Sequence, residues 1–418
     1  MLSEFANVFK VPELRRKICF TLAMFAMFRM GAHIPVPGVD PKVIEQLFNS
    51  GSLFGLLDMF SGGALSKFSI FAMSITPYIN ASIILQLLKV VVPTLEQWSK
   101  EGEEGFKKTN RLTRQFSVLL CFVQALGMVY GLRMAVSNPG IGPMLLIALT
   151  LTAGSMLLMW IGEQMTARGL GNGISLIIFA GIVSRVPDGL QIIIQYLNAG
   201  TVNLVNVILF AALALAVIAF VVVITEGIRK VPIQYAKRIV GNKSYGGSSS
   251  YLPLKINAAN VMPVIFASSV LMFPSTIAQF VNVPAVRQFA EYLRWGTPLQ
   301  TTLYVILIIF FTYFYTAVML NIPDLSESLK KNGGFIPGVR PGQPTADYLD
   351  YVMSRITLAG AIFLAIIALT PNIVGWITHI EGIYFGGTAL LIVVGVALET
   401  LKQAESMVIM RHYHGFMK

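Results

Sequence analysis

Residues 52–92 form one long, mostly apolar stretch, broken by Asp58, Ser61-Gly62-Gly63, Ser66-Lys67 and Thr76-Pro77. A bilayer core is crossed by about 20 helical residues, so the stretch is too long for one crossing and too short for an ordinary helical hairpin. It reads as a half-helix that dips into the membrane from one side, followed by a full span. Irregular backbone at that depth survives only where protein buries it or where it lines a polar cavity, because lipid cannot satisfy free amides and carbonyls. The surrounding fold therefore contains a vestibule with something folded into it.

With 55% hydrophobic and 12% charged residues and a mean hydropathy of +0.70, the chain is excluded from the soluble globules and reads as a polytopic membrane protein. Spanning windows fall at 18–34, 70–92, 115–136, 144–164, 172–187, 204–225, 257–280, 301–321, 355–374 and 383–401. Ten spans put both termini on one side. By alternate loops that side collects 23 Lys and Arg residues, and the other five: Lys42, Lys67, Arg185, Arg287 and Arg294. The positive-inside rule then places both termini and the long basic loops in the cytoplasm. Residues 1–17 read as a cytoplasmic amphipathic segment leading into a retained span, since Arg15-Arg16-Lys17 precedes it and no small-residue cleavage site follows. Cys19 and Cys121 both sit in apolar segments, which gives neither a disulfide framework nor a metal-ligand spacing.

A repeat links the second and seventh windows. Pro77-Tyr78-Ile79-Asn80-Ala81-Ser82-Ile83-Ile84-Leu85 and Pro263-Val264-Ile265-Phe266-Ala267-Ser268-Ser269-Val270-Leu271 share Pro, Ile, Ala, Ser and Leu at an offset of 186. The topology runs these spans in opposite directions. That is the pattern of two inverted five-span halves, residues 18–203 and 204–401, with a pathway at their interface and a cytoplasmic tail at 402–418.

The span interiors carry almost no ionisable groups. Arg29, Lys89, Arg133, Glu163, Arg185, Glu226 and Glu399 lie near span ends, where long side chains can snorkel and carboxylates can reach water. An ion-coupled transporter normally keeps such a group at its midplane site, so that class is disfavoured, while neutral-solute facilitation stays open. No nucleotide loop or zinc-protease helix occurs. Gly169-Leu170-Gly171-Asn172-Gly173 follows a span and reads as a tight turn, and His412 and His414 read as solvated tail residues. The chain is expected to be no enzyme and to need no cofactor or metal; work against a gradient has to come from a partner.

What remains at mid-depth is branched aliphatic. Ile79 and Ile83 are one helical turn apart, as are Ile174 and Ile178, while Ile265 and Ile392 come from the other half. Each alone is accounted for by a core or lipid-facing position. Converging from both halves, they fit a narrow apolar constriction that gates by dewetting. The loops near 226–256 and 322–355 carry Lys237, Arg238, Lys243 and Arg340 among aromatics and Gly/Pro turns. Topology alone accounts for their charge, and so does a docking surface for RNA or an acidic protein face.

Six motifs, in order along nearly the whole chain, resemble the bacterial SecY family of protein-conducting channels. They are Met59-Phe60-Ser61-Gly62-Gly63-Ala64-Leu65-Ser66; Pro77-Tyr78-Ile79 through Gln86-Leu87-Leu88; Gly171-Asn172-Gly173-Ile174-Ser175; Leu252-Pro253-Leu254-Lys255-Ile256-Asn257; Pro263-Val264-Ile265-Phe266-Ala267-Ser268-Ser269; and Gly334-Phe335-Ile336-Pro337-Gly338-Val339-Arg340-Pro341-Gly342.

The resemblance implies an all-α integral membrane protein of ten transmembrane helices in two pseudo-symmetric inverted halves around an hourglass pore. It implies that residues 53–66 are a re-entrant plug half-helix, carrying Leu53, Phe54, Leu57, Asp58, Met59, Phe60, Ser61, Gly62, Gly63, Ala64, Leu65 and Ser66. Ile79, Ile83, Ile178, Ile265 and Ile392 match the pore ring, with Ile174 and Met262 as neighbours; other members often carry isoleucine where Met262 stands. Ser82, Gln124, Ser268 and Ser269 match the polar lining of a lateral gate between spans two and three and spans seven and eight. Lys237, Arg238, Lys243 and Arg340 fall in loops that match the docking sites for the ribosome and the SecA motor. Further implied partners are SecE and SecG as channel subunits, signal-bearing precursor polypeptides and membrane lipid, and the implied location is the bacterial cytoplasmic membrane. A small, weakly packed plug helix with a Ser61-Gly62-Gly63 hinge suits easy removal. From other classes, a small-molecule permease and a membrane scaffold without a pore remain alternatives.

Overall fold

A computed structural model describes residues 12–40, 43–44, 58, 61–136, 140–235, 238–240, 243–245, 249–280, 297–378 and 387–415. The chain is a multi-pass membrane protein. Helix α1 is Pro12–Gly31, with proline at its start, Glu13 in the first turn and Arg29 in the last, each matching the helix dipole. Helix α2, Thr76–Val91, ends before Pro93, which disfavours helical backbone at Val92. The chain bends there by 101° into α3, Pro93–Lys100, and then climbs back as α4, Glu103–Gly131. Helix α5 is Ile141–Arg168. The fifth window is two helices, α6 (Gly173–Val183) and α7 (Val186–Asn198), which break at Ser184-Arg185, just ahead of Pro187.

The second half begins with α8, Leu204–Glu226, in which Val221 is the single buried residue; Val217, Ile218, Val222 and Ile224 pack on the core, and the exposed apolar face suits lipid. It continues as α9 (Met262–Phe280), α10 (Pro298–Met319), α11 (Ile322–Lys331), α12 (Gln343–Thr378) and α13 (Gly387–Gly415). Every one of the ten windows is thus occupied by helix. The second one starts later than hydropathy suggested. Residues 62–75 are irregular, not helical, and the span begins at Thr76.

The packing repeats between halves. In the first, α1 lies against α5 and α6, α5 against α6 and α4, and α4 against α2. In the second, α8 lies against α12 and α13, α12 against α13 and α10, and α10 against α9. With spans numbered one to five and six to ten, the two patterns coincide pair for pair. Between the halves, α6 packs on α13, and α9 on α2 and α4.

Hydropathy did not disclose that the two long loops fold together. Strands β1 (Ile228–Tyr235) and β4 (Ser249–Lys255) pair antiparallel, flanking a two-stranded tip of β2 (Arg238–Val240) and β3 (Lys243–Tyr245). Strand β5, Gly334–Phe335, comes from the other loop and adds to β1 with Gln234 opposite Phe335, giving the order β4-β1-β5. Beneath the sheet, Val231, Ile233, Leu254, Leu329, Ile336, Leu349 and Met353 form a separate core. The last two are on α12, whose 36 residues run about 54 Å, far more than a bilayer needs, so its first turns stand outside and carry this platform.

Candidate functional site

The site lies where α2, α6, α9 and α13 converge. Pairs at i and i+4 share one helix face, so Ile79 and Ile83 on α2, and Ile174 and Ile178 on α6, each point the same way. Six of the seven expected ring residues, Ile79, Ile174, Ile178, Met262, Ile265 and Ile392, fall in one hydrophobic cluster. Ile178, Ile265 and Ile392 are buried, and the other three are half-buried. Ile83 is placed differently. It is buried with Val264, Phe266 and Leu391 in the adjoining cluster, which Ile79 and Met262 also touch. It therefore carries α2 of the first half into the packing of the second. Ile174 also packs sideways, where a Cβ at Gly162 of α5 would lie 3.3 Å from its side chain. Helices α5 and α6 meet that closely because Gly173 has no side chain; a Cβ there would sit 2.0 Å from the carbonyl oxygen of Gly162.

The segment folded into the vestibule meets this cluster from one end. Of its expected residues, Leu53, Phe54, Leu57, Met59 and Phe60 lie outside the described residues. Asp58 and Ser61 are helical, and the backbone then turns through Gly62 and Gly63 at φ +65° and +84°. Ala64 is fully buried in the same cluster as the isoleucines, while Leu65 faces the opposite way into a core with Val129 and Leu151. The return path from Phe68 to Ile75 is buried except at the half-buried Ile70 and Met73, and the Val36 amide donates to the Phe68 carbonyl and that of Ile70 to the Ile34 carbonyl, each at 3.0 Å. Protein thus satisfies irregular backbone that lipid could not.

The segment is better anchored than the expectation of a weakly packed helix. Asp58 is wholly buried, and its Oδ1 accepts from the amides of Leu65 (3.0 Å) and Ser66 (2.8 Å) and from the Ser61 hydroxyl (3.2 Å). Its Oδ2 is paired with the guanidinium of Arg185. Arg29 Nη1 donates to the Gly62 carbonyl at 2.9 Å. Arg29 and Arg185, expected at span ends to snorkel toward water, instead both turn onto this segment.

Around the seam between halves, α9 packs directly on α2 and α4. Ser82, Gln124, Ser268 and Ser269 are half-buried on these helices. Ser82 accepts from Gln86 at 3.3 Å and Ser268 donates to the Ile265 carbonyl at 2.8 Å, so both bonds stay within one helix. On the platform, Arg340 is exposed in the turn after β5. Arg238 and Lys243 take part in the β2–β3 pairing through their backbones, and Lys237 lies outside the described residues. Lys230 sits over the Tyr251 ring at 4.8 Å on the sheet's outer face. The Gly169–Gly173 region is a tight turn as expected, with Asn172 capping α6 through the amides of Ile174 and Ser175.

A family model described as SecY matches residues 69–401. The chain is 46% identical to the protein translocase subunit SecY of Halalkalibacterium halodurans over 431 residues, with all of both chains covered. A solved structure concerning the plug domain of the SecY protein, which stabilises the closed state of the translocation channel, matches at a TM-score of 0.65 and 18% identity. Sec61 in a canine ribosome–channel complex from the endoplasmic reticulum matches at 0.63 and 18%. Each covers 96% of both chains.

Proposed function

This chain belongs to the SecY family, and on that footing we propose that it is the central pore subunit of a protein translocation channel, closed in the state described. It passes unfolded secretory polypeptides across the cytoplasmic membrane and releases hydrophobic segments sideways into lipid. It is a passive channel subunit and not an enzyme. The observation that carries this reading is the single apolar cluster in which ring residues from both halves meet Ala64 of the re-entrant segment. A ring of aliphatic side chains yields around chains of any sequence and offers no hydrogen bond at which they would stick. Closed, the same ring excludes water and ions.

Residues 53–66 act as the plug, and the α9 seam with α2 and α4 is the lateral gate. A signal helix that parts the seam gains by partitioning into lipid, a few tenths of a kcal/mol per apolar residue. Among the described residues, the bonds of Ser82 and Ser268 lie within their own helices, which favours a seam that their hydroxyls do not tie shut. The platform bearing Arg238, Lys243 and Arg340, together with Lys237, docks the partner that supplies the energy, the SecA motor or the ribosome. The matched canine Sec61 belongs to a ribosome–channel complex, which supports the second. SecE and SecG complete the channel, and both termini face the cytoplasm.

Reconstitution into liposomes with SecA and ATP tests the reading. A signal-bearing precursor is expected to become protected from added protease, and removal of residues 53–66 is expected to raise ion conductance. Saturable uptake of a small solute without precursor protection would favour a permease.

A further inference from the structure

We propose that Asp58, Arg185 and Arg29 form a charged clasp that retains the plug, with Arg185 as the positioning residue on which closure depends. The inference rests on the reading of residues 53–66 as the plug. Three contacts on the turn at its end point to retention. Asp58 is 0% exposed, yet carries a carboxylate whose two oxygens have separate tasks. Oδ1 gathers the Leu65 and Ser66 amides and the Ser61 hydroxyl, which shapes the turn itself. Oδ2 meets Arg185, which lies between α6 and α7 and so belongs to the wall of the vestibule. From another wall helix, α1, Arg29 reaches the Gly62 carbonyl. Between these two arms the plug backbone touches α6 directly: a Cβ at Gly62 would lie 2.8 Å from Gly181 Cα and 3.0 Å from Ser184 Oγ.

Among the described residues of the plug, the contact with the ring cluster is made through Ala64, which has one methyl to bury. A carboxylate buried without a cation is far more costly than the loss of such a contact, so the ion pair decides whether the segment stays. Arg185 is 29% exposed and has Asp188 at 3.8 Å, so it keeps water and a second carboxylate when the plug leaves. Asp58 has no such reserve while seated. The two partners are therefore unequal: loss of Arg185 strands a buried charge, whereas neutralising Asp58 leaves Arg185 solvated and keeps an oxygen for the two amides.

The test uses the full chain with its channel subunits in proteoliposomes, with Cys19 and Cys121 replaced by alanine and Ala64→Cys as a reporter. Precursor-free ion conductance and labelling of the reporter by an impermeant maleimide from the outer side are read together. Arg185→Gln is expected to shift plug release by about 100-fold, as when one partner of a buried ion pair is removed, and to raise both readouts. Arg185→Lys keeps the charge and stays near the parent. The double variant Asp58→Asn with Arg185→Gln is expected to return toward the parent, which a role in packing alone would not produce. Arg29→Gln is expected to shift release by about tenfold, the loss of one charged hydrogen bond. Conductance that rises on removal of residues 53–66 but not in Arg185→Gln overturns the clasp and leaves the plug standing. Conductance unchanged by both overturns the plug reading and the clasp with it. A double variant as leaky as Arg185→Gln overturns the ion pair as the cause.

Discussion

Gly154 of α5 presses on the carbonyl of Ile70: a Cβ at that glycine would sit 1.9 Å from the Ile70 oxygen. A helix and an irregular return segment touch backbone to backbone, and a rigid carbonyl cannot step aside as a flexible side chain would. Gly154→Ala is therefore expected to displace residues 62–75 and cost about 1–3 kcal/mol, typical of overpacking. Thermal unfolding of the purified protein should show a lowered midpoint together with a raised basal ion leak. An unchanged midpoint would mean that the contact relaxes freely.

At the constriction, the expected response follows from dewetting. Ile178→Ser and Ile265→Ser each place a hydroxyl in the cluster that holds the ring, and a hydrated ring no longer excludes ions. Basal conductance should rise in each variant and rise further in the pair. Ile178→Leu, which keeps volume and polarity, should remain at the parent level.

Ile83 makes a different prediction from its neighbours. It buries α2 in the core of the second half, so Ile83→Ala leaves a cavity at the seam worth about 2–5 kcal/mol. The expected outcome is easier lateral opening, read as faster crosslinking of a signal peptide to positions on α2 and α9. Crosslinking at the parent rate would remove Ile83 from the seam.

The platform separates driving from sealing. Arg340→Glu reverses an exposed charge far from the ring, so motor-driven precursor transport should fall severalfold, consistent with electrostatic steering. Basal conductance should not change. The loss should shrink at high salt, where the parent's own advantage is screened.

At the joint between α5 and α6, Thr21 of α1 accepts the buried Leu170 amide at 3.2 Å, and the Gly171 amide donates to Gln403 of α13. Thr21→Val strands that amide and is expected to cost about 1–3 kcal/mol. Thr21→Ser, which keeps the acceptor, should restore the parent's unfolding midpoint.

Helices such as α8 and α12 were legible because an unbroken apolar run has no other use in a chain of this composition. The sheet was not. Pro232 and Pro253 argue against strands, since proline donates nothing to a ladder. Among the described residues, β5 pairs with Gln234 and Tyr235 but not with Pro232, and Pro253 lies on the edge strand β4, so neither proline stands in a fully paired central position. Helical spacing put Ile79 with Ile83, and Ile174 with Ile178, on shared helix faces, although spacing could not assign Ile83 to a second cluster. Asp58 stands in an apolar stretch, and a carboxylate there calls for a cation. Choosing Arg185 over Lys42 or Lys67 needed the fold, because α6 alone brings residue 185 beside residue 58.

Every residue in the platform core, from Val231 through Ile356, belongs to the second half of the chain. Whatever grips the platform therefore holds one jaw of the molecule and leaves the other free. On the reading of the platform as the docking site, such a grip is expected to work like a hand on a single handle of a clothes-peg, loading α12 and through it the seam where α9 meets α2 and α4, with α6 against α13 as the hinge.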